Sequence, residues 1–307
     1  MRALLIILCI VIVIVASLWG MGIVRQQRVS TEPWPAGLGT LRDIPQRFPK
    51  APATPAANEL MRLAGDLAAA RRHLLTAAPI QFEIDLARKE EPPSPPLTAL
   101  MQLFRLLAAD ALERGAWEDL EASWKLARVL FARPDQKSQI VALAGLRLTS
   151  DAARSMPLPA PEWVAEMLAF DPRPAYLRSM QAEAWVVWRR YEELGMIRPE
   201  AARVIEERRR MTEQLAAQTG CGVAFTLRDM PNLSEVWARL FRMRAELELT
   251  ERALAARAGA PPQLQSRCSD GHWVYETRPD GSEAIRFSRP LPGLLVVTRA
   301  PAKPRST

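Results

Sequence analysis

Histidine and cysteine are scarce in this chain of 307 residues, which has two histidines and three cysteines. So few histidines exclude a histidine-rich metal site, and so few cysteines exclude a disulfide-dense secreted scaffold. The chain also lacks the nucleotide loops GxGxxG and GxxxxGK[ST], the hydrolase motif GxSxG and the zinc motif HExxH. The sequence therefore predicts no catalytic residue, no cofactor and no metal ligand set. It leaves enzymatic activity open, with a non-catalytic role preferred.

A concentrated basic region is also missing. Lys and Arg number 41 against 34 Asp and Glu, and six basic and two acidic residues fall within 1–50. The rest of the chain is almost balanced, whereas phosphate backbones are bound by clustered positive charge. We therefore predict no nucleic-acid partner. A hydrophobic content of 49% excludes wholesale disorder.

One long apolar run is present at the N-terminus. Residues 3–24, ALLIILCIVIVIVASLWGMGIV, contain no charge. As a helix they would be about 33 Å long, which matches a hydrocarbon core of about 30 Å. We predict that residues 1–24 form an uncleaved, single-pass transmembrane anchor that contacts the membrane through residues 3–24. The alternative is a signal peptide cleaved near Gly20-Met21-Gly22.

The orientation of this anchor follows from the length of the N-terminal tail. The positive charges at the two ends of the run are nearly equal, with Arg2 and the terminal amine on one side and Arg25 and Arg28 on the other. A short N-terminal tail normally stays in the cytoplasm. We therefore expect a protein of the inner (cytoplasmic) membrane, with the bulk of the chain extracytoplasmic.

Proline placement predicts the domain organisation. Of 26 prolines, 23 fall in four windows, and the stretches between these windows are helix candidates because proline breaks helix interiors. The prediction is a Pro-rich tether over 25–56, a helical domain over 57–258, and a C-terminal β-hairpin and tail over 259–307. The expected fold class is mostly α, with an N-terminal transmembrane helix, a helical-hairpin domain and a small C-terminal β-hairpin.

Hydrophobic periodicity supports the helical domain. Apolar residues from Leu97 to Leu112 follow the helical i, i+3, i+4, i+7 spacing, and Gly115 ends that helix. A second apolar stripe runs from Trp117 through Trp124 to Phe131, so two antiparallel helices are expected to pack as a hairpin. Further helices are predicted at 57–77, 134–148, 161–170, 174–194, 199–219 and 233–258.

The C-terminal residues show a period of two instead. Trp273 and Tyr275 alternate with polar residues, a Pro-Asp-Gly turn follows, and Ile285 and Phe287 alternate again. This pattern predicts a β-hairpin, to which residues 294–297 could add a third strand.

Two resemblances follow from longer segments. LLAADALERGAWEDLEASWKLARVL resembles one helical hairpin of the tetratricopeptide type, without a second copy at that period. The segments WEDLEASWKLARVLFARPDQKSQIVALAGLR, PEWVAEMLAFDPRPAYLRSMQAEAW and SRCSDGHWVYETRPDGSEAIRFS resemble a group of uncharacterised, membrane-anchored helical proteins of bacteria. This resemblance, over about two thirds of the chain, implies a single anchor and a helical envelope domain. It implies no activity and no functional residues.

Two cysteines form a candidate disulfide. Cys221 and Cys268 flank the helix predicted at 233–258, and an extracytoplasmic compartment would permit a bond between them. Two unpaired thiols are the alternative. Cys268 and His272 have a spacing that could suit metal ligands, but zinc requires three or four protein ligands and Cys221 is the only obvious third.

Other polar and aromatic clusters have structural explanations. The acidic residues of 118–121 are expected to form a solvated helix face, and the arginines of 208–210, which follow two glutamates, to make surface ion pairs. Trp185 and Trp188 are expected in a core stripe. His73 is expected to be a partly exposed helix residue.

Three functions remain open from the sequence. The preferred one is a non-catalytic scaffold or protein-binding module whose partner is another envelope protein. An envelope hydrolase with a motif-less carboxylate site is the first alternative. A module that engages anionic lipid through the basic residues of 1–50 is the second. No small-molecule partner is identified.

Overall fold

The chain is mostly helical, with an N-terminal apolar helix and a small C-terminal antiparallel sheet, which confirms the predicted fold class. The computed structural model describes residues 2–34, 37–44, 66–76, 96–193, 199–222, 231–291 and 294–298. The helices within these residues are α1 (Arg2–Thr31), α2 (Leu67–Thr76), α3 (Leu97–Arg114), α4 (Trp117–Phe131), α5 (Gln136–Ala153), α6 (Glu162–Ala169), α7 (Arg173–Glu193), α8 (Pro199–Ala216) and α9 (Pro231–Arg257).

The chain divides into two compact units, and one of the boundaries between them falls within α7. The first unit contains α1, a short 3-10 turn at Leu41–Asp43, most of α7 and α8. The second contains α2 to α6, the first residues of α7, α9 and the sheet. The predicted domain boundaries are not decided by this division and stay a prediction. Residues 45–56 of the predicted tether and 57–65 of the first predicted helix lie outside the described residues.

The end of α1 belongs to the core of the first unit. The helix continues seven residues beyond the apolar run of the sequence, to Thr31. Val29 and Trp34 are buried there with residues of α7, α8 and the 3-10 turn. The cluster consists of Val29, Trp34, Leu41, Ile44, Ala182, Ala184, Trp185, Trp188, Ala202 and Ile205. The described part of the predicted tether, 25–34 and 37–44, therefore lies within a folded unit.

The predicted helical hairpin is present as α3 and α4. Gly115 ends α3 with φ 65°, and its N–H donates to Ala111 O, which is a left-handed C-cap that glycine adopts without strain. Trp124 and Phe131 are buried, and the Trp124 ring packs edge-on against Phe170 with centroids 5.2 Å apart. Trp117 is only partly buried, because it lies at the start of α4 and its indole Nε1 donates to Pro157 O.

Helices α3 and α5 cross at very close range at Gly145. A Cβ atom placed on Gly145 would lie 2.4 Å from the ring of Phe104 on α3. Glycine is therefore required here by the approach of a neighbouring side chain.

The C-terminal sheet has three antiparallel strands in the order β1 (Trp273–Thr277), β2 (Glu283–Phe287) and β3 (Leu295–Thr298). Trp273 pairs with Phe287, and Ile285 pairs with both Tyr275 and Val296. The predicted hairpin is confirmed, and residues 294–297 do supply most of a third strand. The sheet packs on α9, as a small sheet must to be stable in water.

Candidate functional site

Cys221 and Cys268 form a disulfide in the structure, with their Cα atoms 5.4 Å apart. Both residues are buried in one cluster with Ala245, Leu249 and Ala253 of α9. The apolar face of the sheet, formed by Trp273, Ile285 and Phe287, belongs to the same cluster. The bond therefore links the chain that precedes α9 to the chain that enters β1, on the side of α9 that the sheet covers.

Asp270 supports the same junction without a covalent bond. Its carboxylate accepts from the backbone N–H of Cys221 at 2.8 Å and from that of Gly222 at 2.7 Å. The hydroxyls of Thr219 and Ser269 lie 2.7 Å apart beside it. Asp270 was not predicted from the sequence, because its partners Cys221 and Gly222 are 49 and 48 residues away along the chain.

Glu248 organises the other end of this junction. It is fully buried on α9, and its carboxylate accepts from Trp273 Nε1 at 3.0 Å and from the backbone N–H of Arg267 at 2.6 Å. The hydroxyl of Ser266 donates to the same carboxylate at 2.5 Å. Buried charges are tolerated when hydrogen bonds satisfy them in this way, so Glu248 has a structural role in seating β1 on α9.

An apolar groove lies between residues 158–160 and the C-terminal end of α9. Its volume is about 620 Å³, and its lining includes Leu158, Pro159, Ala160, Leu254, Ala255 and Ala258. Leu158 exposes 36% of its surface. Arg257, the charged residue of the lining, is engaged with the protein because its guanidinium donates to Arg154 O at 2.6 Å. An accessible apolar surface between fixed backbone segments is suited to an apolar side chain of a partner.

A second small cavity of about 90 Å³ lies between α5 and α9 and contains the buried carboxylate of Glu246. Arg242 Nε donates to Glu246 at 3.0 Å, and Arg147 Nε lies 3.2 Å from its other oxygen. Burial raises the pKa of Glu246 despite these two opposing charges. Asp151, the acidic group that also acts on this pKa, is itself paired with Arg154, so both carboxylates here are held in ion pairs.

The predicted acidic face at 118–121 is only partly solvated. Asp119 is fully buried, contrary to that expectation, because two guanidinium groups enclose it. Arg71 Nη1 lies 2.6 Å from one of its oxygens, and Arg114 pairs with the other. Glu118 is exposed, as expected. The aspartate joins α2, α3 and α4, a role that depends on partners distant in sequence.

The geometry does not support a metal site formed by Cys221, Cys268 and His272. Cys221 and Cys268 are bonded to each other, and His272 is exposed at the start of the sheet. Across the described ranges, no group of three His, Cys, Asp or Glu side chains could hold a metal ion. His73 is partly exposed on α2, as predicted.

The arginine run at 208–210 is divided between two environments. Arg208 pairs with Glu183 at 3.0 Å near the surface, as expected. Arg209 is instead buried: it donates to Val29 O at 2.5 Å and pairs with Glu32 at 2.9 Å, and its guanidinium lies 5.5 Å from the Trp34 ring centroid. Desolvation lowers the pKa of Arg209 although Glu32 opposes this effect. Arg209 therefore attaches the end of α1 to α8.

Helix α1 differs from these regions because its apolar side chains are exposed. Its large apolar side chains are exposed from Leu4 to Val24, with exposed fractions between 41% at Ile23 and 76% at Leu4. It is the one helix within the described residues that is long and apolar enough to cross a membrane, a property that signal sequences share. The resemblance to membrane-anchored helical proteins of bacteria stays a prediction. The chain matches no family model, no curated protein and no solved structure.

Proposed function

We propose that this chain is a single-pass protein of the cytoplasmic membrane that presents a disulfide-linked helical domain outside the cytoplasm. There it binds another envelope protein, without catalysis of its own. The observation that carries the proposal is α1, an exposed apolar helix whose final turns are built into the core of a folded unit.

Retention of the anchor is supported by the continuity of α1. The alternative cleavage site, Gly20-Met21-Gly22, lies inside an uninterrupted helix. The following residues are tied to α8: Arg25 Nε donates to Glu206 at 2.8 Å, and Arg209 holds Val29 O. Cleavage at residues 20–22 would leave these contacts in the mature chain, so the support for retention is the unbroken helix through the cleavage site.

The extracytoplasmic side is supported by the disulfide, because such bonds persist in oxidising compartments and are rare in the cytosol. The topology is tested by fusing after Thr307 a reporter enzyme that is active only outside the cytoplasm. We expect an active reporter on a chain that retains its original N-terminus. An inactive reporter on an intact, expressed fusion would overturn the orientation, and a mature N-terminus near residue 21 would overturn the anchor.

Partner binding is assigned to the apolar groove at the end of α9. Its lining is almost entirely apolar, and its one guanidinium is already used within the fold. We therefore expect a partner segment that inserts an aliphatic side chain, with burial of the groove walls as the main source of affinity.

A photo-crosslinking residue introduced at Ala258 of the full-length chain in its native membrane tests this assignment. We expect one discrete cross-linked band, which Leu158→Glu abolishes because it places a charge in the groove. Leu112, which exposes 51% of its surface on α3, supplies the matched control position. Equal cross-linking from 112 and 258, or none from 258, would refute the groove as a binding site.

The hydrolase alternative requires two carboxylates that face one cavity. The cavities at α1 and α9 that the structure describes have at most one acidic side chain each in their linings, namely Glu192, Glu246 or Glu248. Glu248 is occupied by three hydrogen bonds, and Glu246 lies between two arginines. These observations favour the non-catalytic role.

A further inference from the structure

A cavity of about 470 Å³ lies beside the last turns of α1, within the first unit. Its lining includes Ile23, Gln26, Gln27, Arg42, Trp185 and Trp188. The volume falls within the range of about 300–1,000 Å³ that is typical of small-ligand sites. From the residues that line this cavity and from its position along the axis of α1, we infer that it binds the phosphate-bearing headgroup of an anionic phospholipid.

The position of the cavity along α1 gives the first reason, which rests on the proposed insertion of α1 into the membrane. The apolar run ends at Val24. Gln26, Gln27 and Ser30 then lie about 3 to 9 Å beyond it along the helix axis. The headgroup layer on each side of a bilayer is about 5–8 Å thick, so these residues lie at headgroup depth while Ile23 reaches the acyl boundary.

The polar lining gives the second reason. Arg42 is exposed and has no carboxylate partner within the part of the chain that the structure describes. Gln26 and Gln27 flank it with amide groups whose side-chain donors are likewise not engaged by any described residue. A phosphate diester offers the acceptor oxygens that a guanidinium and two amides can bind together.

The third reason is the aromatic wall of the cavity. Trp185 and Trp188 both line it and are largely buried, with 9% and 6% of their surfaces exposed. Tryptophan is the residue that membrane proteins place at the headgroup level.

The charges around the cavity favour an anion. Glu192, which also lines it, is paired with Arg189 at 3.1 Å, and Arg189 lies over the Trp185 ring with its guanidinium carbon 5.6 Å from the centroid. Arg25 is paired with Glu206. With these pairs neutralised, Arg42 provides an uncompensated positive charge, which attracts anionic lipid more than zwitterionic lipid.

The test uses the delipidated full-length protein in detergent and counts bound molecules by native mass spectrometry. Dioleoyl phosphatidylglycerol, dioleoyl phosphatidylcholine and soluble glycerol phosphate are the three probes. We expect one saturable phosphatidylglycerol site, with phosphatidylcholine bound roughly fivefold more weakly, because the choline ammonium cancels the net charge that Arg42 attracts.

Two variants assign the binding to this cavity. Arg42→Gln is expected to weaken phosphatidylglycerol binding about tenfold. Trp185→Phe, which reduces the aromatic wall of the cavity, is expected to weaken it about two- to fivefold. Arg203→Gln, an exposed arginine of α8 outside the lining, is the charge-matched control and should bind as the wild type does. Because Arg42 is exposed, its variant is expected to fold even if the tryptophan variant does not.

Equal binding of the two lipids, or binding that neither variant changes, would overturn the inference. Glycerol phosphate bound as tightly as phosphatidylglycerol would overturn the assignment to a lipid and indicate a soluble phosphate ligand. A chain that has lost α1 is recognised by its intact mass, and that result would refute the anchor itself. Failure of the lipid site with α1 present and membrane-inserted would leave the proposed function standing.

Discussion

The disulfide offers the most direct test of both the fold and the compartment. Cys221 and Cys268 are 47 residues apart and enclose all of α9. In the chain-entropy model, a bond that closes a loop of this length stabilises the native state by about 4 kcal/mol, because it restricts the unfolded chain. Replacing both cysteines by alanine, or reducing the bond, should therefore lower the free energy of unfolding of this region by about that amount.

The native fold should survive this loss, because Asp270 holds the backbone N–H groups of Cys221 and Gly222 independently of the sulfur atoms. We expect unchanged helix content by circular dichroism. The decrease should appear in amide hydrogen exchange of β1 and β2, measured on the full-length protein by mass spectrometry, since local exchange does not require the whole chain to unfold as one unit. A loss of about 4 kcal/mol corresponds to protection factors on the order of 10³ lower.

Cys9 supplies the control for this experiment. It is exposed on α1, far along the chain from the sheet, so Cys9→Ser should leave the exchange of β1 and β2 unchanged. A decrease of less than about tenfold in the double variant would refute the loop-closure reasoning. Two free thiols in protein isolated without reductant would refute the bond and would remove the main support for the extracytoplasmic side.

Three further predictions concern the helical core. Gly145→Ala should destabilise the protein by up to about 2 kcal/mol in thermal or urea unfolding, because overpacking against Phe104 costs about 1–3 kcal/mol and the gain in helix propensity returns about 1; a more stable variant would contradict the close approach. Trp124→Ala should cost about 3–5 kcal/mol in the same assay, and an unchanged stability would contradict the α3–α4 hairpin. The pKa of Glu246 is raised, so the folded state favours the protonated carboxyl. The resulting stabilisation of the fold is complete below the ordinary carboxyl pKa and is lost as the pH rises through the folded-state pKa. Glu246→Gln should therefore melt at a higher temperature than the wild type at pH 7, with the difference narrowing toward pH 4; a constant difference would contradict the raised pKa.

Elements that depend on local pattern could be predicted from the sequence. The periodicity around Trp124 predicts α4, Gly115 marks the end of α3, and the alternation around Trp273 predicts the sheet. These patterns can be read locally because the side-chain period of a helix or a strand is set by its own backbone geometry. For Cys221 and Cys268 the sequence left a disulfide and two free thiols open, and the structure pairs them.

Residues whose roles depend on distant partners could not be predicted. Asp119 was expected in solvent, but Arg71 and Arg114 bury it, and nothing in the local sequence identifies Arg71 as a partner. Arg209 sits within a run that has the pattern of surface ion pairs, yet it binds a carbonyl of α1. The groove at the end of α9 was missed for the same reason, because Leu158 and Ala258 approach each other only in the folded chain.

The way in which α1 joins the first unit restricts where partners can bind. If α1 spans the membrane as proposed, Arg209 and the Arg25–Glu206 pair hold α8 against helix turns that lie at the bilayer surface. The first unit is then fixed near the headgroups by its own core, so lipid headgroups can reach its cavity. The groove at the end of α9 belongs to the second unit. Lipid binding and protein binding are therefore assigned to separate units, so the Arg42 and Leu158 variants should each affect one activity and leave the other unchanged.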